Sequence, residues 1–178
     1  MRLDVTEELY LRLLEEADAE ELYRLVEANR PYLAEWLPWA AGQTLAGTAE
    51  FIRKTHRQLD DNDGFQGALV LDGRIAGAGG LIGIDWEARK TGIGYWLAEE
   101  HQGRGLMTRA VRAVTDYAFD DLDLNRVEIQ VGTGNAKSRA IPERLGFRLE
   151  GVLREYERVG DRYLDIVVYS LLARERRR

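Results

Sequence analysis

One stretch of the sequence combines residue types and a spacing suited to binding phosphate through backbone amides. It reads Gln102-Gly103-Arg104-Gly105-Leu106-Met107-Thr108. Gly103 and Gly105 lack a Cβ, so they can adopt positive φ and bring their N–H groups close to a ligand. The first N–H groups of a helix have no internal partners and lie at the positive end of its dipole, which favours an anion. The stretch therefore predicts a pyrophosphate site at the start of a helix.

The flanking segments predict that this stretch joins a strand to a helix. The run Ile93-Gly94-Tyr95-Trp96-Leu97 before it is apolar and rich in β-formers. After it, apolar residues recur at helical spacing, at Leu106, Ala110, Val111, Val114, Tyr117 and Ala118. The third glycine of a dinucleotide fingerprint and the Gly-Lys-Ser/Thr end of a P-loop are both absent. A glycine turn can also serve only to turn the chain, so this pattern alone leaves a structural role open.

The composition predicts one cytoplasmic domain. The 178 residues are 45% apolar, which suits a single domain spanning residues 1–178. A net charge of −6, without a long basic face, argues against a nucleic-acid partner. The absence of cysteine excludes thiolate metal ligands and a cysteine nucleophile. No apolar stretch reaches spanning length and the N-terminus is charged, so we expect no membrane interaction.

Hydrophobic periodicity and turn signals predict an α/β (α+β) chain of order β-α-α-β-β-β-α-β-α-β-β. We expect a mixed central sheet of about seven strands with helices on both faces. The expected elements are a strand at 9–14, a helix capped by Asp18, a helix capped by Thr48 and ending near 59, strands at 65–71 and 74–85, a strand at 95–97, a helix after Gly105, a strand at 126–131, a helix capped by Asn135, and a hairpin of strands 147–157 and 163–172. Ligands in such sheets collect beyond the carboxyl ends of parallel strands.

Glycines and prolines predict local departures from regular structure. The strand at 74–85 carries glycines that indicate a bulge or the close approach of another chain segment, namely Gly77, Gly79, Gly80 and Gly83. Pro142 has no N–H, so the carbonyl of Ser138 should lack its helical partner. Near residues 29–39, the rings of Tyr32, Trp36 and Trp39 are expected mainly to cover the core, with one or two of them forming walls of an acceptor cleft.

Three separated segments resemble the GCN5-related N-acetyltransferases, the GNAT family. Residues 102–107 resemble the signature Q/R-x-x-G-x-G/A, with Met107 in place of the usual small residue. Residues 135–138 and 144–147 resemble the family's N-x-x-S and LGF segments. The run from residue 93 to 108 is similar to the RimJ/RimL branch, which acetylates the N-terminal amines of ribosomal proteins. The predicted element order also matches the family's fold over nearly the whole chain.

The resemblance implies an N-acetyltransferase that uses acetyl-coenzyme A, needs no metal, and modifies the N-terminal α-amine of a protein, most naturally a ribosomal protein. The backbone around Leu97 and Ala98 would pair with the pantetheine arm and offer an N–H to the thioester carbonyl. Ser138 matches the residue proposed to protonate the departing thiolate. The full set of implied cofactor-binding residues is Leu97, Ala98, Gln102, Gly103, Arg104, Gly105, Leu106, Met107, Thr108, Asn135 and Ser138.

A general base for the amine is predicted among the carboxylates. Glu128 is the first choice because it lies on the polar side of the strand at 126–131, and Glu35 beside the tryptophans is the second. Either could equally be a surface charge. The glutamate described for RimL-like enzymes after the second helix has no counterpart in Gly64-Phe65-Gln66-Gly67.

Two other functions fit the same residues. The acceptor could be a small amine such as a polyamine, an aminoglycoside or an amino acid, or the chain could be a non-catalytic acyl-coenzyme A binding module. Separately, a purely structural role for Asn135 and Ser138 at the start of a helix stays open, since asparagine is a good cap. The edge strands and the final hairpin would also allow a homodimer.

Overall fold

A computed structural model describes residues 1–176 and is built on one eight-stranded sheet. The last two residues of the predicted domain 1–178 lie outside the described residues. The strands are β1 (Arg2–Asp4), β2 (Leu9–Leu13), β3 (Gly64–Leu71), β4 (Arg74–Asp85), β5 (Lys90–Leu97), β6 (Arg126–Gly132), β7 (Arg148–Val159) and β8 (Arg162–Leu172). The helices are α1 (Ala19–Leu33), α2 (Leu45–Asp60), α3 (Leu106–Asp120) and α4 (Ala136–Arg144).

The strand order is β1-β2-β3-β4-β5-β6-β8-β7, and all neighbours are antiparallel except β5 and β6. The parallel pair is connected through α3, as the helix-to-strand pattern predicts. The mixed sheet and the element order are confirmed. The prediction of about seven strands is one too few. The missed strand, β1, is only three residues long, which is too short to show an alternating pattern in the sequence, and it is defined by its pairing with β2.

The sheet is buried on both faces by helices, as expected. On one face, α3 contributes Ala110 and Val111 to a large apolar cluster that also contains Leu69 of β3, and Ile141 of α4 packs against it. On the other face, Ile52 of α2 packs with neighbouring β3 residues. Alternate side chains of β3 therefore enter opposite layers, which is the strand period of two. We call these the α3/α4 face and the α1/α2 face.

Of two predicted helix caps, Thr48 was wrong, and Asp18 has the predicted position without the cap hydrogen bond. The N-cap of α2 is Thr44, whose hydroxyl accepts a 3.0 Å hydrogen bond from the Gly47 N–H. Thr48 lies one turn inside the helix, fully buried, and donates its hydroxyl to the Thr44 carbonyl at 3.0 Å. Asp18 occupies the N-cap position of α1, but its side chain makes no cap hydrogen bond, because its carboxylate forms a bidentate pair with the Arg12 guanidinium at 2.6 and 2.8 Å. For α2, a neighbouring threonine provides the cap. For α1, the side chain expected to cap the helix binds Arg12 instead.

The glycines of β4 confirm both the bulge and the close approach. The register of β4 against β5 shifts between Ile82 and Ile84, and Gly83 between them has φ +66°. A Cβ on Gly77 would lie 2.2 Å from the Trp96 carbonyl oxygen of β5. Real Cβ atoms do not approach backbone oxygen so closely, so glycine at 77 sets the spacing between β4 and β5.

We predict that Gly77→Ala destabilises the fold by about 3 kcal/mol, because β5 cannot move away without breaking its pairing with β4. The matched control is Gly151→Ala on the edge strand β7, where an added Cβ meets nothing within 4 Å. That variant should change the free energy of unfolding by less than about 0.5 kcal/mol. Urea unfolding of both variants measures the difference, and equal losses would contradict the close approach at Gly77.

Candidate active site

The sheet opens between β5 and β6. These strands pair only from Lys90 to Gly92 on β5 and from Arg126 to Glu128 on β6. Beyond Glu128 the two strands make no ladder with each other, although β5 continues to Leu97 and β6 to Gly132. We call the gap between residues 93–97 and 129–132 the split. It lies at the carboxyl ends of a parallel pair, where ligands of such sheets bind.

The β5 edge of the split presents unpaired backbone groups. Ala98 donates its N–H to the Ala76 carbonyl at 2.8 Å, and Leu97 lies opposite Gly77. In an antiparallel ladder these positions turn the N–H and C=O of Leu97 away from β4 and towards the split. The Leu97 carbonyl accepts a hydrogen bond from the Tyr32 hydroxyl, which agrees with this orientation. Leu97, rather than Ala98, therefore offers a backbone donor to a ligand in the split.

A set of free backbone N–H groups lies at the end of β5. Gly105 is the N-cap of α3 with φ +72°, and Gly103 has φ +76°. Within the described chain, the N–H groups of residues 103–108 donate to no backbone carbonyl. A Cβ on either glycine would meet no atom within 4 Å, so the space before the loop is open. These amides at the positive end of α3 can bind an anion without rearranging.

The Met107 side chain leaves this loop unobstructed. It is 6% exposed and packs into the apolar cluster beneath α3, together with Leu106. Thr108 is half-buried in the first helical turn, whereas Gly103 and Arg104 are exposed. The larger residue at position 107 thus fills core space on the α3/α4 face, and its N–H stays among the free amides.

The opposite wall of the split is the start of α4. Asn135 is the N-cap, and its side-chain oxygen accepts the Ser138 N–H at 3.1 Å. Pro142 leaves the Ser138 carbonyl without a helical donor, as predicted, and the Tyr95 hydroxyl donates to that carbonyl at 3.1 Å. The Ser138 hydroxyl in turn donates to the Tyr95 hydroxyl at 3.3 Å. Tyr95 therefore reaches from β5 across the split and holds Ser138 in place.

Two phenols line the split in their neutral form. Burial raises the pKa of Tyr95 to about 12, and burial likewise raises the pKa of Tyr32 to about 12. Gln102 lies between Tyr32 and α4, because its side-chain nitrogen is 3.4 Å from the Leu97 carbonyl and its oxygen accepts Lys137 Nζ at 2.9 Å. Side chains from three places thus meet at the end of β5: from α1, from α4, and from the loop before α3, which we call the amide loop.

The α1/α2 face gives a second approach to the split. Gly92 and Gly94 carry no side chain on this face, and a Cβ on Gly94 would lie 2.4 Å from Ile82 Cδ1. Ile82, which is 53% exposed, and Glu128 both line an open cleft of about 330 Å³. Because Gly92 and Gly94 have no side chains to cover β5 on this face, a ligand in the cleft can approach the backbone of the split.

Glu128 and Glu35 lie at different places. Glu128 belongs to the last β5–β6 pair, and one of its carboxylate oxygens accepts the Arg126 Nε–H at 2.8 Å. Its second oxygen has no hydrogen-bond partner among residues 1–176. Glu35 is exposed in the turn after α1, where the neighbouring Trp36 ring packs on Gly132. At 3.3 Å per residue, Gly132 is about 13 Å along β6 from Glu128. Of the two, Glu128 is the carboxylate at the closed end of the split.

Comparisons with known proteins agree with this geometry. Residues 8–148 match the model of the acetyltransferase (GNAT) domain. The chain is 43% identical to YdaF of Bacillus subtilis (strain 168), a candidate ribosomal N-acetyltransferase, over 96% of this chain and 94% of that protein. The chain belongs to the GNAT family of acetyltransferases. The resemblance to its RimJ/RimL-like branch is confirmed.

Two further relatives in the GNAT family extend the comparison. The ribosomal-protein-serine acetyltransferase of Escherichia coli (strain K12) is 28% identical over 94% of each chain. The microcin C7 self-immunity acetyltransferase MccE, solved in complex with acetyl-CoA and AMP, superposes with a TM-score of 0.89 at 28% identity over 94% of each chain. The fold and the acetyltransferase class predicted from the sequence are confirmed by these relatives.

Sequence reasoning about this GNAT chain misses three side chains that contribute to the split. It assigns Tyr32 mainly to the core, and it singles out neither Tyr95 nor Lys137 as a site residue. Their partners are 65, 43 and 35 positions away in the sequence. Two sequence signals point towards the contact between Tyr95 and Ser138, namely the strand-like run around Tyr95 and the missing N–H of Pro142.

We predict that Tyr95→Phe destabilises the protein by about 1–3 kcal/mol, because the partly buried Ser138 carbonyl loses its donor. In a Pro142→Ala background the same change should cost less, since alanine at that position can supply the helical N–H that proline lacks. The matched control is Tyr23→Phe, a half-buried phenol with no hydrogen bond to the described residues. Denaturant unfolding of this double-mutant cycle gives the coupling, and additive losses would contradict the proposed pairing.

Proposed function

We propose that this GNAT protein transfers the acetyl group of acetyl-CoA to the N-terminal α-amine of a protein, and that the acceptor is a ribosomal protein. The observation that carries the proposal is the split, which has free amides at one end and Glu128 at the other. The names of YdaF and of the E. coli relative support the choice of acceptor.

The coenzyme would lie along the α3/α4 side of the split. Its pyrophosphate would bind the N–H groups of residues 103–108, with the exposed Arg104 beside them. Its pantetheine arm would complete the unpaired edge of β5 in the manner of an added strand. Leu97 would supply an N–H to the part of this arm nearest the pyrophosphate, since the Ala98 N–H is already bonded to Ala76. Asn135 would contact the arm from α4 through its side-chain nitrogen.

The acceptor would approach from the α1/α2 face through the cleft beside Ile82. Its neutral amine attacks the thioester carbonyl carbon, and Glu128 takes a proton from the nitrogen through bridging water as the C–N bond forms. The Tyr95 N–H, which faces the split like that of Leu97 but lies nearer Glu128, would stabilise the negative charge on the carbonyl oxygen. When the C–S bond breaks, the Ser138 hydroxyl turns from Tyr95, donates its proton to the departing thiolate and regains one from solvent, while Glu128 releases its proton into the open cleft. The products are the N-acetylated acceptor and coenzyme A.

An α-amine suits this site better than the amine of a polyamine. The pKa of an α-amine is near 8, so a useful fraction is neutral at physiological pH and one carboxylate is enough to assist it. Aromatic rings at the same face, with Trp39 and Trp96 6.3 Å apart, can pack against the first side chains of an extended peptide. Glu35, exposed beside Trp36, would contact the acceptor further out rather than act as the base.

The proposal includes one N-acetyltransferase domain over residues 1–178, acting in the cytoplasm as a homodimer. No helix in the described part of the chain is long and apolar enough to cross a membrane. The strand β7 lies at the sheet edge and exposes apolar side chains, among them Leu149, Val152 and Tyr156, which could pair with a second copy.

Incubation with acetyl-CoA and separated ribosomal proteins tests the function directly. Mass spectrometry should find a gain of one acetyl group on the N-terminal residue of one acceptor, with release of one coenzyme A for each group transferred. Spermidine and amino acids serve as competing acceptors in parallel reactions. Acetylation of these small amines alone would favour the small-molecule alternative. Coenzyme binding without thiol release from any acceptor would favour a binding module.

Ser138→Ala separates a catalytic hydroxyl from a structural one. Alanine is a good helix former, so the stability of α4 should hardly change. We expect kcat to fall by roughly 100-fold while the Kd for acetyl-CoA stays within about threefold, because the proton is donated only in the transition state. Turnover and binding are measured at saturating acceptor. Unchanged kcat would refute the role as general acid, and a loss of affinity alone would indicate a binding role.

A further inference from the structure

We propose that Lys137 binds the pyrophosphate of the coenzyme, reaching it from α4 across the mouth of the split. The inference rests on the proposed function, because it presumes that the free amides of residues 103–108 hold this pyrophosphate. It adds a side-chain cation on the wall opposite the amide loop.

The position of Lys137 is fixed by a contact between the two walls. Lys137 is the second residue of α4, and its exposed side chain extends to the loop before α3. Its ammonium lies 2.9 Å from the side-chain oxygen of Gln102. Gln102 directly precedes the residues whose N–H groups are free. The ammonium is therefore held at the entrance of the amide loop, 35 positions away in sequence.

The charge of Lys137 is not balanced by a carboxylate. Its one hydrogen-bond partner within residues 1–176 is a neutral amide, and no ion pair with any of these residues involves it. Arg139, two positions further along α4, is instead paired with Glu143 and bonded to Tyr169. An unpaired ammonium beside free N–H groups makes a favourable place for phosphate, since a charge-assisted hydrogen bond is about twice as strong as a neutral one.

Gln102 would keep its contact when the coenzyme binds. An ammonium has three N–H donors, so Lys137 can retain the Gln102 oxygen and still donate to a phosphate oxygen. Arg104, exposed on the loop and without an ion pair in the described chain, would lie on the other side of the same group. The pyrophosphate would then lie between one cation from each wall, with the backbone amides beneath it.

The test compares coenzyme affinity across matched ligands and variants by calorimetry. Lys137→Ala should weaken binding of CoA about tenfold, and Lys137→Arg should stay within about threefold of wild type. The same tenfold loss is expected for dephospho-CoA, which keeps the pyrophosphate and lacks the 3′-phosphate. S-acetylpantetheine, which has neither the pyrophosphate nor the 3′-phosphate, should have the same KM with wild type and with Lys137→Ala. The kcat of Lys137→Ala at saturating acetyl-CoA should equal that of wild type. The control variant is Lys54→Ala, an exposed lysine on α2.

Each other outcome overturns the inference in a recognisable way. Equal losses in Lys137→Ala and Lys54→Ala would mean a general charge effect. A loss for CoA but not for dephospho-CoA would place Lys137 at the 3′-phosphate. Undiminished CoA affinity in Lys137→Ala would leave the lysine without a role while the proposed function stands. Failure of the wild-type protein to bind CoA would instead refute the proposed function itself.

Discussion

The structure depends on the early end of the β5–β6 ladder. Pairing stops at Gly92 and Glu128, so the remaining N–H and C=O groups on the β5 side have no neighbouring strand. Backbone polar groups inside a protein need partners. The Leu97 carbonyl obtains one from Tyr32, while the Leu97 N–H points into the split. An unpaired strand edge between two walls is a template for an extended ligand with alternating amides, and the pantetheine arm is such a ligand.

The walls of the split are held by side chains that come from distant parts of the chain. Tyr95 joins β5 to α4, and Tyr32 joins α1 to the end of β5. The turn after α1 is held by Arg30, which donates to the carbonyls of Ala41 and Gln43 at 2.9 and 2.8 Å. The acceptor side is therefore a fixed surface rather than a free loop. Such support matters because a catalytic group that is displaced by about 1 Å loses much of its effect.

The sequence predicted the parts of the molecule that depend on local rules. The start of α3 followed from Gly103 and Gly105, and the cap of α4 and its free carbonyl followed from Asn135 and Pro142. Local reasoning failed where a tertiary partner decides. The Asp18 carboxylate pairs with Arg12 and makes no cap hydrogen bond to α1, and Thr48 is buried inside α2. The contacts across the split could not be predicted, because nothing near Lys137 or Tyr32 in sequence indicates which strand end each one reaches.

Three titratable groups at or beside the split, Tyr32, Tyr95 and Glu150, keep one charge state at neutral pH. Burial raises the pKa of Tyr32 and Tyr95 to about 12, so both phenols stay protonated and remain donors. The Arg126 guanidinium lowers the pKa of Glu150 to about 2, so the pair that also positions Glu128 stays charged. None of these three groups changes its charge between about pH 4 and about pH 10. The hydrogen bonds that position Ser138, the Leu97 carbonyl and Glu128 are thus constant over this range.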